Sequence, residues 1–150
     1  MEKIDRRLFV TSACAACALA ATGRVSAALD DAKVHAVGTL ADYPKDGIYD
    51  AFARRQRFFL VREGGRLYAV SALCTHKAYL LRFDKDQDEL QCPGHQSRFD
   101  EKGRVLNGPA DMALPRHKIS ADAGGKLTVD RNVEFFEDQW DEAGAFVAVT

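Results

Sequence analysis

Two short stretches of the sequence each place a thiol close to an imidazole. Cys74 and His76 lie in SALCTHKAY, and Cys92 and His95 lie in QCPGHQSRFD. Thiolates and neutral imidazoles are ligands that proteins use for zinc and for iron. The four residues could hold one tetrahedral zinc ion, or a two-iron cluster with both cysteines on one iron and both histidines on the other. The residue types therefore predict a metal centre and leave both chemistries open.

The division of the ligands between the two stretches favours the two-iron cluster. Zinc hairpins usually pair cysteine with cysteine in one turn and histidine with histidine in the other. Here each stretch supplies one residue of each type, and two such loops that face each other can grip a cluster from both sides. A zinc-binding structural module remains the alternative, and colour separates the two because a two-iron cluster is red-brown whereas zinc is colourless.

The motifs around these residues resemble those of the Rieske iron–sulfur family. The shared motifs, in that family's order and spacing, are CTH, CPGHQSRFD, Gly103-x-Val105, and Gly108-Pro109-Ala110 followed by Leu114-Pro115. The resemblance covers residues 33–130. It implies an all-β fold, an antiparallel sandwich or barrel into which a cluster-binding loop subdomain at about 72–112 is inserted. It also implies one [2Fe-2S] cluster with Cys74, His76, Cys92 and His95 as its ligands.

The same resemblance suggests how the cluster is tuned. Ser97 is at the position whose hydroxyl donates a hydrogen bond to a bridging sulfide in the quinol-oxidising branch, but Phe99 stands where that branch has a tyrosine. That branch also carries a disulfide between the loops, and the matching positions here are Tyr79 and Gly94. Donors to sulfur stabilise the reduced cluster. One donor kept and one missing therefore predict an intermediate reduction potential.

The elements that must position the loops are predicted to be short strands. RFFLV (57–61) and RLYAVS (66–71) are rich in β-forming residues and are joined through Gly64-Gly65, which is typical of a hairpin. The stretch 117–130 repeats this pattern, and 33–40 is predicted to be a first strand.

Outside these strands the sequence is less regular. Residues 74–110 are rich in Gly, Pro, Asp, Cys and His, and no stretch after residue 33 predicts a helix. The extension 131–150 is aromatic and acidic. An added edge strand and a partner surface are both open interpretations of this extension.

The first residues, 1–27, have the pattern of an export signal. Arg6 and Arg7 precede an uncharged run from Leu8 to Gly23, and Val25-Ser26-Ala27 is a small-residue cleavage pattern. Paired arginines before an apolar run resemble the twin-arginine signal of proteins that are exported folded. An uncleaved membrane anchor is the alternative, although the run is short for a span of about 20 residues.

Composition and context narrow the function. A formal net charge of -1 gives no reason to expect nucleic acid as a partner. An oxygenase catalytic subunit would need a second iron site with two histidines and a carboxylate, and after His95 only His117 remains. The sequence thus predicts a periplasmic electron-transfer protein or small oxidoreductase subunit, which meets the membrane only if the signal is uncleaved.

The expected partner is a redox protein, namely a cytochrome, a quinol-linked complex or a larger oxidoreductase subunit. The alternative function is the Rieske subunit of a cytochrome bc-type complex. The twin-arginine-like start supports that alternative, whereas the two positions without cysteine argue against it.

Overall fold

The computed structural model describes residues 33–149, so the predicted export signal at 1–27 lies outside the described residues. Within this range the strands are β1 Val34–Thr39, β2 Gly47–Tyr49, β3 Phe58–Glu63, β4 Arg66–Ser71, β5 Arg82–Asp84, β6 Glu89–Gln91, β7 Arg98–Phe99, β8 Val105–Asn107, β9 Arg116–Ala121, β10 Lys126–Phe135 and β11 Val147–Ala148. Single helical turns occur at Ala53–Gln56 (α1), Leu40–Asp42 and Glu137–Gln139. The all-β prediction is confirmed.

Every paired strand in the described range is antiparallel, and the strands form two sheets. The larger sheet has the order β1-β10-β9-β4-β3-β2, with β11 also paired to β4. The smaller sheet has the order β5-β6-β7-β8 and is inserted between β4 and β9 of the larger one. The predicted inserted subdomain is therefore a small sheet with its own loops.

The β3–β4 hairpin shows how local sequence fixes this architecture. Its strands pair from Phe58 with Ser71 to Glu63 with Arg66. Gly64 and Gly65 form the turn with φ values of 57° and 76°, a conformation that glycine adopts without steric cost. The hairpin predicted from 57–71 and the one predicted from 117–130 are both confirmed.

The apolar run of β3 is buried on both faces of the larger sheet. Phe58 and Leu60 pack on one side with residues of β4, β9 and β10, whereas Phe59 and Val61 pack on the other. This second side faces the inserted subdomain, and Cys74 and Cys92 belong to its core. The loops that carry the predicted ligands are therefore anchored in the main hydrophobic core.

A helical turn and a C-terminal strand are two features of the structure that the sequence did not settle. Residues Ala53–Gln56 form one helical turn, which ends at Arg57 in a left-handed conformation; four residues are too few to give a helical periodicity in the sequence. In the C-terminal extension, Val147 pairs with Leu67 of β4, so the extension adds a short strand, and the alternative of a partner surface stays a prediction. No helix among the described residues is long and apolar enough to cross a membrane.

Candidate metal centre

The two ligand-bearing stretches are both tips of hairpin-like turns. We name residues 74–79 the first loop and residues 92–97 the second loop. An isolated bridge between Leu73 and Leu80 flanks the first loop, and the pairing of Gln91 with Arg98 flanks the second. Each loop is thus held at its base by one antiparallel residue pair.

Backbone hydrogen bonds within the two loops follow the same pattern. In the first loop the Cys74 amide donates to the Tyr79 carbonyl at 2.9 Å, and the Ala78 amide donates to the Cys74 carbonyl at 2.7 Å. In the second loop the Cys92 amide donates to the Ser97 carbonyl at 2.9 Å, and the Gln96 amide donates to the Cys92 carbonyl at 3.0 Å. In both loops the cysteine is the first residue of this hydrogen-bonded turn, which we call the frame of the loop.

Both frames close through a residue with a left-handed backbone. Ala78 has φ 52° and Gln96 has φ 63°. This conformation is unfavourable for residues other than glycine and persists only where the surrounding structure determines it. The loops therefore store a small amount of backbone strain next to the ligands, as functional loops often do.

The two predicted histidine ligands meet between the loops, and the two predicted cysteine ligands belong to one buried cluster. Cys74 and Cys92 are free thiols, each with 2% of its surface exposed. The rings of His76 and His95 lie 4.8 Å apart between centroids and nearly perpendicular, at 89°. The two cysteines sit in the core and the two histidines are half-buried above it.

The chemistry of this donor set fits a cluster. The Nδ1 atoms of His76 and His95 are buried and have no hydrogen-bond partner among the described residues. A buried polar atom without a partner costs free energy, and ligation by iron would satisfy both nitrogens. Among residues 33–149, no group of three or more His, Cys, Asp or Glu side chains is arranged to hold a single metal ion. A mixed-ligand two-iron cluster does not need such a group, because each iron takes only two protein ligands.

A third loop, which we define as residues 108–115, covers the first two. The Ala110 amide donates to the Ser97 hydroxyl oxygen at 3.0 Å, and Ser97 is fully buried. Because that oxygen accepts a hydrogen bond, the hydroxyl proton of Ser97 stays available as a donor. The Thr75 hydroxyl instead donates to the Met112 carbonyl at 2.7 Å, so its proton is already used.

Tyr79 and Gly94, the positions that match the disulfide of the quinol-oxidising branch, are in contact. A Cβ atom built on Gly94 would lie 3.0 Å from Cγ and Cδ2 of Tyr79, which is tighter than nine in ten real Cβ contacts. The Tyr79 ring also meets the His95 ring edge to face, with centroids 5.4 Å apart. An aromatic ring thus joins the two loops where that branch has a covalent link.

Other residues near the loops have plainer surroundings. Phe99 is fully buried in the core that includes both cysteines. Lys77 is exposed, Arg98 forms an ion pair with Glu89 at 3.5 Å, and Arg104 forms one with Glu137 at 2.9 Å. Since each arginine is paired with an acidic residue, the two do not form a rim of unpaired positive charge around the loops.

The remaining histidines lie in the larger sheet. His35 is in β1, and His117 is buried in β9. Burial lowers the pKa of His117 to about 4, so this side chain is neutral at physiological pH. Both positions agree with structural roles away from the loops.

Sequence reasoning missed three contributors to the site: Thr75, the Ala110 amide and the ring of Tyr79. Thr75 follows a ligand directly, but its hydroxyl partner lies in the third loop, far along the chain. The Tyr79–Gly94 contact had one signal in the sequence, since a large side chain in one loop is matched by the smallest residue in the other. A direct contact between these two positions could have been predicted from that pairing.

Comparisons with known proteins agree with this geometry. A sequence model of the Rieske [2Fe-2S] domain matches residues 33–118. The cytochrome b6-f complex iron–sulfur subunit of Chlorobaculum tepidum is 32% identical over 94 residues, which are 63% of this chain and 51% of that protein. The chloroplastic iron–sulfur subunit of the cytochrome b6-f complex of Arabidopsis thaliana is 33% identical over 60 residues, 40% of this chain and 26% of that protein.

A solved structure is also similar. The cyanobacterial plasma membrane Rieske protein PetC3 from Synechocystis PCC 6803 superposes with a TM-score of 0.51 at 30% identity, over 64% of this chain and 98% of that chain. This chain spans about half or less of the length of the two cytochrome b6-f subunits.

Proposed function

The chain belongs to the Rieske [2Fe-2S] family and binds one Rieske cluster, and we propose that it is an exported one-electron carrier or small subunit of a periplasmic oxidoreductase. In this proposal it is an electron-transfer component and has no catalytic activity alone. Cys74 and Cys92 would hold one iron, and His76 and His95 would hold the other. When bound, such a cluster takes up and releases single electrons at potentials between about −150 and +300 mV.

The observation that carries the proposal is the pair of matched loops. They carry two buried thiols and two buried Nδ1 atoms without a hydrogen-bond partner, and the two imidazole rings lie 4.8 Å apart. The loops have the same internal hydrogen bonds, so neither has to rearrange its backbone to offer its ligands. A preformed donor set of this kind keeps its geometry during electron transfer.

The chain's own residues also divide the site into a protected side and an accessible side. Cys74, Cys92 and Ser97 are buried, and the third loop covers them through Ala110. His76 and His95 are half-buried, so their rings reach the surface between the loops. A redox partner would therefore approach the histidine edge, and water would be excluded from the cysteine side.

Two substitutions support a potential below that of the quinol-oxidising branch. Phe99 provides no hydroxyl where that branch has a tyrosine, and Tyr79 and Gly94 join the loops by contact alone. Ser97 supports a higher reduction potential, because its hydroxyl proton is free to donate to sulfur. We therefore propose an intermediate reduction potential, which suits a carrier that works between a quinol or cytochrome and a reductase.

A second candidate is the iron–sulfur subunit of a cytochrome bc-type complex. It is supported by the similarity to the cytochrome b6-f subunits of Chlorobaculum tepidum and Arabidopsis thaliana, which are parts of such a complex by name. In this case the partner is a cytochrome and quinol-linked complex. The missing cysteine pair weighs against this candidate, and the reduction potential separates the two.

The same proposal extends to domain organisation and location. We propose an export signal at 1–27, a Rieske domain at 33–130 with its cluster-binding part at about 72–112, and an extension at 131–150. The paired Arg6 and Arg7 support export of the folded protein to the periplasm. Attachment to the inner membrane follows if the signal stays uncleaved.

A reduction-potential titration of the purified protein, followed by its visible spectrum, tests this proposal. The carrier proposal predicts a midpoint between the low end of the Rieske range, about −150 mV, and zero. A midpoint well above zero would instead support the cytochrome bc-type subunit. A protein that cannot be reduced and reoxidised reversibly by one electron would contradict both candidates.

A further inference from the structure

A small cavity lies on the body of the protein, lined by residues of β3, β4, β9 and the extension 131–150 and by the loop after β7. Its volume is about 210 Å³, and none of its lining residues is a cluster ligand. Arg116, Tyr68 and Trp140 are among its lining residues. The cavity plays no part in the proposed electron transfer, so ligand binding there is independent of the redox function.

Arg116 is the central residue of the cavity. Only 5% of its surface is exposed, and its guanidinium carbon lies 3.6 Å from the centroid of the Tyr68 ring and 4.2 Å from that of Trp140. Both distances are in the range of cation–π interactions. Such contacts form no hydrogen bond, so they leave the guanidinium donors available.

The charges around Arg116 leave it without a carboxylate of its own. Three other cations line the cavity, and each has an acidic partner, in the pairs Lys102–Glu63, Arg104–Glu137 and Arg66–Asp141. No ion pair within residues 33–149 includes Arg116. Burial lowers the pKa of Arg116 to about 10, so it remains cationic at neutral pH. Glu63 stabilises the charge of Arg116 electrostatically, but all three carboxylates of the cavity are ion-paired with other cations, so the cavity keeps one excess positive charge that would favour an anion.

Two buried donors show that the cavity is polar and incompletely satisfied. The Nε atom of Arg116 and the Nε1 atom of Trp140 are buried, and neither has a hydrogen-bond partner in the described part of the chain. Trp140 is itself only 5% exposed. Buried N–H groups of this kind are normally paired, and a missing acceptor is the common explanation when they are not.

We propose that this cavity binds a small oxyanion with two oxygens in one plane, a monocarboxylate or inorganic phosphate. The edge of Arg116 recognises the two oxygens as a fork, and the indole N–H of Trp140 donates to the same anion. The cavity is large enough for an anion of a few heavy atoms and too small for a protein segment. Arg116 follows the third loop directly in sequence, and Trp140 comes from the extension, so the anion would fasten the extension to the domain.

Trp140 provides the readout because it is the only tryptophan in the chain. The experiment titrates the cluster-loaded protein with sodium acetate and, separately, with sodium phosphate, while sodium chloride keeps the ionic strength constant. Tryptophan fluorescence should change and saturate with acetate, phosphate or both, and the stronger of the two identifies the source of the oxyanion. Linear or absent changes with both salts up to about 100 mM, a range that covers weak millimolar sites, would overturn the proposal.

Variants test whether the signal comes from this cavity. Arg116→Lys keeps the charge but loses the fork, and the affinity should fall about tenfold. Arg104→Gln changes an exposed residue at the rim, whose guanidinium carbon lies 5.6 Å from the Trp140 ring, and should also weaken binding without unfolding the protein. Lys126→Gln, an exposed cation on β10, is the matched control and should bind as the wild type does.

The visible spectrum of the cluster shows in each sample that the protein is folded. If Arg116→Lys fails to fold, Arg104→Gln decides the matter alone. Unchanged affinity in every folded variant at these two positions would overturn the proposal, because binding would then arise elsewhere.

Discussion

The first loop, 74–79, and the second loop, 92–97, share one backbone frame but place their histidines differently. In both, the cysteine amide bonds to the carbonyl five residues later, and a left-handed residue precedes the closing position. His76 is two residues after its cysteine, whereas His95 is three residues after its own. The same backbone frame therefore carries its histidine at the third residue in the first loop and at the fourth residue in the second loop. The centroids of the two imidazole rings lie 4.8 Å apart, and the ring planes are nearly perpendicular.

The loops differ most in the residue that closes each frame. The first ends in Tyr79, which is 48% exposed and whose ring lies over Gly94 of the second loop. The second ends in Ser97, which is buried and bonded to the third loop. In the proposed function the shared frame serves ligation and the closing residues have other roles: Tyr79 contacts the second loop, and Ser97 would adjust the reduction potential.

If ligation is shared equally, removing a ligand from either loop should have the same, largest effect. Cys74→Ala and Cys92→Ala should each abolish cluster binding, because the remaining ligands cannot hold one of the irons. His76→Ala and His95→Ala should reduce it to a small fraction. Iron and acid-labile sulfide analysis measures the outcome.

The control for these variants is Lys77→Gln, which changes an exposed residue beside His76 and should leave the cluster content unchanged. Full iron content in either cysteine variant would contradict the assignment of that loop.

The contact between the loops should control how long the cluster stays bound. Tyr79→Ala removes the ring that lies over Gly94 and against His95, and should speed cluster loss several-fold. Tyr79→Phe is the matched control and should behave as the wild type, since it keeps the ring that makes both contacts. The half-life of the visible absorbance in the presence of a chelator measures this.

A variant on the opposite side of the contact gives an independent test. Gly94→Ala places a Cβ atom 3.0 Å from the ring, which must then shift by a few tenths of an ångström, so we expect a smaller acceleration of cluster loss. Equal half-lives for the Tyr79→Ala, Gly94→Ala and wild-type proteins would show that the ring has no holding role.

The two loop hydroxyls should differ in their effect on the reduction potential. Ser97→Ala should lower the midpoint by about 40–80 mV, which corresponds to the 1–2 kcal/mol of one hydrogen bond to the reduced cluster. Thr75→Val should leave the midpoint nearly unchanged, because the Thr75 proton is already donated to Met112. Equal shifts in both variants would remove the distinction between the loops.

The smallest expected effect concerns backbone strain. Ala78→Gly and Gln96→Gly should each stabilise the protein by about 1 kcal/mol, since glycine adopts a positive φ without steric cost. The midpoint of thermal unfolding should rise by about 4 °C. Ala121→Gly, in the exposed end of β9, is the control and should lower the midpoint, so a fall in all three variants would mean that the loops are unstrained.

Local patterns predicted much of this molecule because they act over a few residues. The Gly64-Gly65 turn, the β-forming runs on either side of it and the spacing of Cys74, His76, Cys92 and His95 all lie within short stretches of sequence. They were sufficient for the hairpins, the all-β class and the identity of the candidate ligands. The rings of His76 and His95 lie 4.8 Å apart and both cysteines belong to one buried cluster, whereas the role of the four residues as ligands stays a prediction.

Contacts between distant segments were beyond the reach of such patterns. The bond from Thr75 to Met112, the stacking of Trp140 on Arg116 and the pairing of Val147 with Leu67 depend on how the sheets and the extension come together. The turn Ala53–Gln56 was missed because one helical turn has no periodicity to detect. The tertiary arrangement decided the three long-range contacts.

The composition and ligation of the metal centre in the purified protein provide the most direct test of the four ligands. Metal and sulfide analysis, combined with pulsed electron paramagnetic resonance of the dithionite-reduced sample, measures both. We expect two irons and two sulfides per chain, with hyperfine coupling to two imidazole nitrogens that falls to one in His95→Cys. A single bound zinc, or a reduced cluster without nitrogen coupling, would contradict the assignment of Cys74, His76, Cys92 and His95.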